Sequence, residues 1–168
     1  MKKYKISIIT VTKNSEKYLE KNILSINKQK YKNYEHIIID GQSTDKTIDI
    51  INKNKNKIKY FISEKDNGLY DAMNKGIKKS SGDIIGILNS DDVYYNEALN
   101  IVNKYFNKYK NLDFLFGSVY KHKLLYGYYP KKIKWTFGFY SAHSVGFFIK
   151  KEAQKKVGLY NTKYQYSA

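Results

Sequence analysis

Asn89-Ser90-Asp91-Asp92 sets two carboxylates directly after an apolar run, Ile84-Ile85-Gly86-Ile87-Leu88. The run reads as a buried strand. If that strand continued, Asp91 and Asp92 would point to opposite faces, so converging on one ion requires a turn. Hard oxygen ligands at such a turn suit Mg²⁺ or Mn²⁺ carrying a phosphate group. The plain alternative is a solvated turn whose Asp pair caps the next helix. Further polar groups follow two earlier strand-like runs: Thr10, Thr12 and Asn14 at the first, and Asp40 at the second. A carboxylate at Asp40 can accept a hydrogen bond from a base imide N–H. Those at Asp91 and Asp92 can hold ribose hydroxyls and a divalent ion bridging a diphosphate. Together they outline a site for a uridine-type nucleotide sugar with its metal.

Such convergence needs elements that bring strand ends to one edge. Lys5 to Thr12 is rich in β-branched residues and reads as strand one. Asn14 or Ser15 is placed to cap a helix reaching about Gln29, with Leu19, Ile23 and Ile26 on one face. Tyr34 to Ile39 is a second strand, followed by a helix from Thr44 or Asp45. Ile58 to Ile62 is a third strand, and Gly68 to Lys79 a helix burying Leu69, Ala72, Met73, Gly76 and Ile77. After the strand at 84–88, a helix from about Asn96 to Lys110 spaces Ala98, Ile101, Val102, Tyr105, Phe106 and Tyr109 for the core. The rest is more irregular: strands over Asp113–His122, Leu124–Tyr129 and Ser144–Ile149, an aromatic stretch Ile133–Tyr140, and a helix Lys151–Val157. Strands alternating with helices predict right-handed crossovers and an α/β, doubly wound, mainly parallel sheet, with ligands beyond the carboxyl ends of its strands.

The length of 168 residues makes one domain the default. We read 1–92 as its nucleotide-binding half and 93–168 as a partial acceptor-side half. With no cysteine there is no disulfide, thiolate metal site or thiol nucleophile, which fits a reducing compartment. Met1-Lys2-Lys3-Tyr4-Lys5 ahead of Ile6–Val11 faintly resembles a signal peptide, but the apolar run breaks too early and reads as strand one. No segment approaches the length of a membrane span. The net charge of +16 comes from 31 basic residues, all lysine. Bidentate recognition of phosphate and guanine favours arginine, and the lysines are scattered, so nucleic acid is not an expected partner. The charge reads as a solvated basic surface, with attraction to phosphorylated donors or an anionic membrane face as its functional use.

Four segments carry a family resemblance. They are Ile8-Ile9-Thr10-Val11-Thr12-Lys13-Asn14, Ile38-Ile39-Asp40-Gly41-Gln42-Ser43-Thr44-Asp45, Ser63-Glu64-Lys65-Asp66-Asn67-Gly68-Leu69-Tyr70-Asp71-Ala72-Met73-Asn74-Lys75-Gly76 and Gly82–Asp92. In this order and at these intervals the sequence resembles family 2 glycosyltransferases with the A-type, Rossmann-like fold. The match is closest to the branch that builds bacterial polysaccharides and lipid-linked glycans. The resemblance implies an inverting, metal-dependent transfer of sugar from a nucleoside-diphosphate donor, expected to be a UDP-sugar, to a glycan or lipid-linked acceptor. It implies Mn²⁺ or Mg²⁺ as cofactor and a cytoplasmic location, with peripheral attachment at the membrane surface as an option.

By position, Thr10, Thr12 and Asp40 would contact uracil or ribose, and Asn14 would lie with them in the nucleotide-sugar site. Asp66 and Asn74 would line the donor pocket. Asp91 would face ribose or metal, and Asp92 would ligate the metal. Asp71 reads as a first-turn helix residue, and His36 and His122 as structural. His143 matches a His-containing stretch near the donor sugar and is the weak candidate for catalysis inside this chain. The departure from the family lies after Val157-Gly158-Leu159-Tyr160-Asn161, where an acidic segment normally carries the catalytic base. The base is therefore expected beyond Ala168. The alternative function is a non-catalytic, nucleotide-sugar-binding remnant without a base.

Overall fold

A computed structural model describes residues 1–121, 123–125 and 144–164 of the chain. Its elements run β1 (Ile6–Thr12), α1 (Leu19–Asn27), β2 (Tyr34–Asp40), α2 (Thr47–Lys53), β3 (Tyr60–Ser63), α3 (Leu69–Lys79) and β4 (Ile84–Ile87). Then follow α4 (Ala98–Lys108), β5 (Phe114–Phe116), β6 (Val119–Lys121), β7 (Lys123–Leu125), β8 (Phe147–Lys150) and α5 (Lys151–Val157). Six strands form one sheet in the order β3-β2-β1-β4-β8-β5, and β6 and β7 pair separately.

β1 lies inside the sheet because nearly every residue of Ile-Ser-Ile-Ile-Thr-Val-Thr is β-branched, and all seven are buried. It pairs in parallel with β2 and β4, and β3 extends the parallel run beyond β2. Alternate residues serve opposite faces. Ile6 and Ile8 pack under α4 with Leu99, Val102 and Phe106. Ile9 and Val11 pack under α3 and α5 with Ala72, Met73, Ile77 and Ala153. A smaller cluster, Leu19, Ile23, Ile38 and Ile51, joins α1 and α2 to β2.

The mainly parallel α/β sheet predicted from the sequence is present, with differences in detail. β8 is antiparallel to β4, and β5 is antiparallel to β8. α1 starts at Leu19, after a turn in which the Ser15 carbonyl accepts from the Tyr18 and Leu19 N–H groups, and Asn14 takes a positive φ of 49°. Its side-chain oxygen accepts from the Thr44 N–H at 2.8 Å instead of capping a helix. Asp113–His122 is not one strand: β5 ends at Phe116 and β6 begins at Val119. A 3-10 turn occupies Ser144–Gly146 before β8. α4 is rotated from the expected face. Leu99 is buried, whereas Ile101, Tyr105 and Tyr109 are about half exposed. Among the described residues no helix is long and apolar enough to cross a membrane.

Candidate nucleotide-sugar site

The parallel register aligns the strand ends: Thr12 pairs with Asp40, Asp40 with Ser63, and Ile9 with Ile87 two residues before Asn89. Beyond this edge lies a groove of about 600 Å³. One wall is the loop leaving β1, with Thr12, Lys13, Asn14 and Ser15, followed by Tyr18. A second is the segment entering α3, with Asp66, Gly68, Leu69 and Ala72. The turn after β4 closes the third with Asn89, Ser90 and Asp91. Of the residues expected from sequence, Thr12, Asn14, Asp66 and Asp91 meet here.

Several contacts fix these walls. Ser15 Oγ and Ser90 Oγ are 2.8 Å apart, tying the β1 loop to the β4 turn. The Asn14 N–H donates to Ser43 Oγ at 2.8 Å, tying the same loop to the one after β2. Asp66 Oδ1 accepts from the Gly68 N–H at 3.0 Å. Its other oxygen lies over Gly41, where any Cβ would collide with the carboxylate, so only glycine leaves Asp66 its place. Lys13 runs beside the same glycine and brings the groove a cation.

Two buried polar atoms of groove-lining residues, Thr12 Oγ1 and Asn89 Oδ1, have no hydrogen-bond partner in the protein. A buried polar group without a partner costs about 1–3 kcal/mol. Behind the turn, Tyr94 is buried against Phe148. Burial first, then the charge of Asp92, pushes its hydroxyl up in pKa and keeps it protonated.

Four expected residues do not line the groove. Thr10 is buried, its hydroxyl engaged by Asn22 and His36. Asp40 is also fully buried, and its carboxylate accepts from the Ser43 N–H at 2.9 Å, from Ser63 Oγ at 2.6 Å and from the Ser43 hydroxyl. It organises the loop behind the groove, where the sequence suggested an open strand-end carboxylate. Asn74 faces Tyr160, giving and receiving a hydrogen bond with its backbone at 2.9 Å each. Tyr70 stacks on the Tyr160 ring at 5.2 Å, so α3 holds the segment after α5. Asp92 sits half-buried in the turn, its N–H donating to Asn89 O at 3.0 Å. His122 and His143 lie outside the described residues. Asp71 pairs with Lys75 at 3.4 Å within α3, as a structural residue would.

Lys13, Ser15, Tyr18, Asn89 and Ser90 are groove residues to which sequence reasoning gave no binding role. Lys13 was hidden among 31 basic residues. Its signal was its place between two motif residues, Thr12 and Asn14.

The donors can be compared with the needs of a divalent cation. Among the described residues no group of three or more His, Cys, Asp or Glu side chains is arranged to hold an ion. The groove offers the Asp91 carboxylate, with Asp92 adjacent. Such hard oxygens fit Mg²⁺ or Mn²⁺ that keeps one or two carboxylates and takes its other ligands from phosphates and water. The residues fit a cation that arrives with a diphosphate better than one bound alone.

Comparison with known proteins agrees with this geometry. The family described as Glycosyl transferase family 2 matches residues 7–163. An uncharacterised glycosyltransferase of Haemophilus influenzae is 45% identical over 97 residues, covering 56% of this chain and 39% of that protein. The Escherichia coli UDP-Glc:alpha-D-GlcNAc-diphosphoundecaprenol beta-1,3-glucosyltransferase WfgD is 31% identical over 119 residues, covering 70% of this chain and 47% of WfgD. The chain thus spans less than half the length of these relatives. Among solved structures, the mannosyltransferase PcManGT from Pyrobaculum calidifontis, in complex with GDP-Man and Mn²⁺, superposes with a TM-score of 0.76. It has 17% identity and covers 96% of this chain and 49% of PcManGT. At that identity the likeness shows a shared fold.

Proposed function

This chain is a member of glycosyl transferase family 2, and we propose that it moves a sugar, with inversion, from a UDP-sugar to a glycan or lipid-linked acceptor. The carrying observation is the groove at the strand ends. There Asp66, Asp91 and Lys13 meet two buried polar atoms, Thr12 Oγ1 and Asn89 Oδ1, that lack partners. The named donor and lipid-linked acceptor of WfgD support the choice of substrates, and the Mn²⁺ of PcManGT supports a divalent cofactor.

Thr12, Asp66 and Tyr18 bind the nucleoside end, Tyr18 offering a half-exposed ring for stacking. Lys13 attracts the diphosphate. Asp91, with Asp92 beside it, would hold Mn²⁺ or Mg²⁺, which would supply charge neutralisation for the diphosphate. Inverting transfer requires a base to take the acceptor hydroxyl's proton. Asp66 and Asp91 are assigned to the donor, so the base lies outside the described groove, with His143 the candidate within this chain.

Titration calorimetry with UDP tests the reading. UDP should bind, and Mn²⁺ should tighten it about tenfold over an EDTA control, or about 1.4 kcal/mol. Equal affinity in both would remove the metal role from the Asp pair. No binding in either would remove the nucleotide site.

A further inference from the structure

A buried polar chain runs from the middle of the sheet to the turn that carries Asp91 and Asp92. Asn22, in α1, is completely buried. Its amide nitrogen lies 2.8 Å from the Asn89 carbonyl oxygen and 2.9 Å from that of Asp92, so both amide hydrogens are donated across the turn. That fixes the amide orientation, since the reverse would set its oxygen against two carbonyl oxygens. The Asn22 oxygen then faces Thr10, whose hydroxyl donates to it at 3.3 Å. Having given its hydrogen, Thr10 Oγ1 can only accept from His36 Nε2 at 2.9 Å. His36 must therefore carry its proton on Nε2, which leaves Nδ1 bare, and Nδ1 indeed has no partner. Every hydrogen in the series points the same way, from β2 through β1 and α1 to the turn.

We propose that Asn22 is the positioning residue of the Asp91-Asp92 turn, with Thr10 and His36 behind it setting its amide orientation. The turn leaves a strand with one hydrogen bond of its own between Asn89 and Asp92. Asn22 ties the carbonyls at both ends of that turn to one rigid amide. This fixes where the intervening Asp91 carboxylate stands over the groove. The inference also gives Thr10 a role inside the protein in place of a base contact. It deepens the functional reading, resting on it only for the claim that the turn serves a metal and a diphosphate.

Hydrogen exchange and nucleotide titration on Asn22→Leu test it together. Amides 89–92 should exchange about tenfold faster than in the wild-type chain, while β1 and β2 keep their protection. The tightening of UDP by Mn²⁺ should disappear, while affinity in EDTA changes less than about twofold. Thr10→Val keeps the side-chain shape and removes only the hydroxyl. It should shift both readouts in the same direction by a smaller factor, and Thr10→Ser should restore them. If Asn22→Leu does not fold, the Thr10 pair decides. Unchanged exchange at the turn would overturn the proposal, and so would equal loss of UDP affinity with and without metal, the mark of general damage. A wild-type chain that fails to bind UDP would refute the functional reading, and the exchange measurement would still decide whether Asn22 holds the turn.

Discussion

Polar groups at the two ends of the sheet are partnered to different extents, although the buried Asp40 at the carboxyl end is as well satisfied as Glu35 at the amino end. At the amino end of the strands, the Glu35 carboxylate is nearly enclosed. It accepts from Ser7 Oγ at 2.6 Å, from the Ser81 N–H at 2.6 Å and from Ser81 Oγ at 2.7 Å, and it pairs with Lys5 Nζ at 2.7 Å. Burial alone would raise its pKa, but Lys5, Ser7 and Ser81 outweigh that and hold it at about 2. At the carboxyl end, Thr12 Oγ1 and Asn89 Oδ1 keep unused capacity, and Asp66 and Asp91 line an open groove. Saturated polar groups spend their interactions on the fold.

The largest expected effect lies at the saturated end. Glu35→Ala leaves Lys5 and two serines without their shared acceptor and should lower unfolding stability by about 2–3 kcal/mol, the range for lost hydrogen bonds to a charged group. Urea denaturation measures this, and UDP affinity should stay within about twofold. Because the folded pKa of Glu35 lies below its ordinary value of 4.5, its contribution is complete above 4.5 and is lost as pH falls toward 2. A variant as stable as the wild type would break the contrast between the ends.

His36, between the two ends, sharpens it. Burial lowers its pKa from 6.5 to about 3, so between those values the unfolded chain binds the extra proton. Stability from this group is therefore complete above pH 6.5 and falls by about 1.4 kcal/mol per unit below it. Between pH 7 and pH 5 the loss should reach about 2 kcal/mol. His36→Gln should flatten that part of the profile in urea titrations at each pH. An unchanged slope would mean that His36 is charged in the fold.

The smallest effect on stability belongs to the open end. Asp66→Ala removes a half-exposed carboxylate with one local hydrogen bond and should alter stability by no more than about 0.5 kcal/mol. It should nevertheless weaken UDP by about 1.5 kcal/mol, the low end for a hydrogen bond to a charged group. A variant that lost stability and kept UDP affinity would make this end as structural as the other.

What could be read from the sequence follows the strength of each local signal. β1 and β4 announce themselves through uninterrupted β-branched or apolar runs, and the polar residues closing them were legible as site candidates. Asp66, Asp91, Thr12 and Asn14 do line the groove. Thr10 and Asn74 carry similar side chains, yet their partners are Asn22, His36 and Tyr160, the last lying 86 residues downstream of Asn74. Such distant pairings leave no periodic trace. On α4 the stripe Ile101, Tyr105, Tyr109 and the stripe Leu99, Val102, Phe106 are both apolar at helical spacing. Only the sheet beneath decides which is buried. The antiparallel direction of β8 was similarly hidden, since a short apolar run carries no direction.

The seat of β8 between β4 and β5 also bears on how the chain is made. About sixty residues separate the end of β4 at Ile87 from the start of β8 at Phe147, roughly 3–12 s of synthesis at 5–20 residues per second. For that interval the parallel strands can assemble while, among the described residues, neither the outer edge of β4 nor β5, already made, has its strand partner until β8 arrives. A bare strand edge is a template for another chain. The nascent protein is therefore most open to pairing with a second copy while its groove-bearing edge is already built, and the arrival of Phe147 to Lys150 ends that exposure by filling both gaps with one strand.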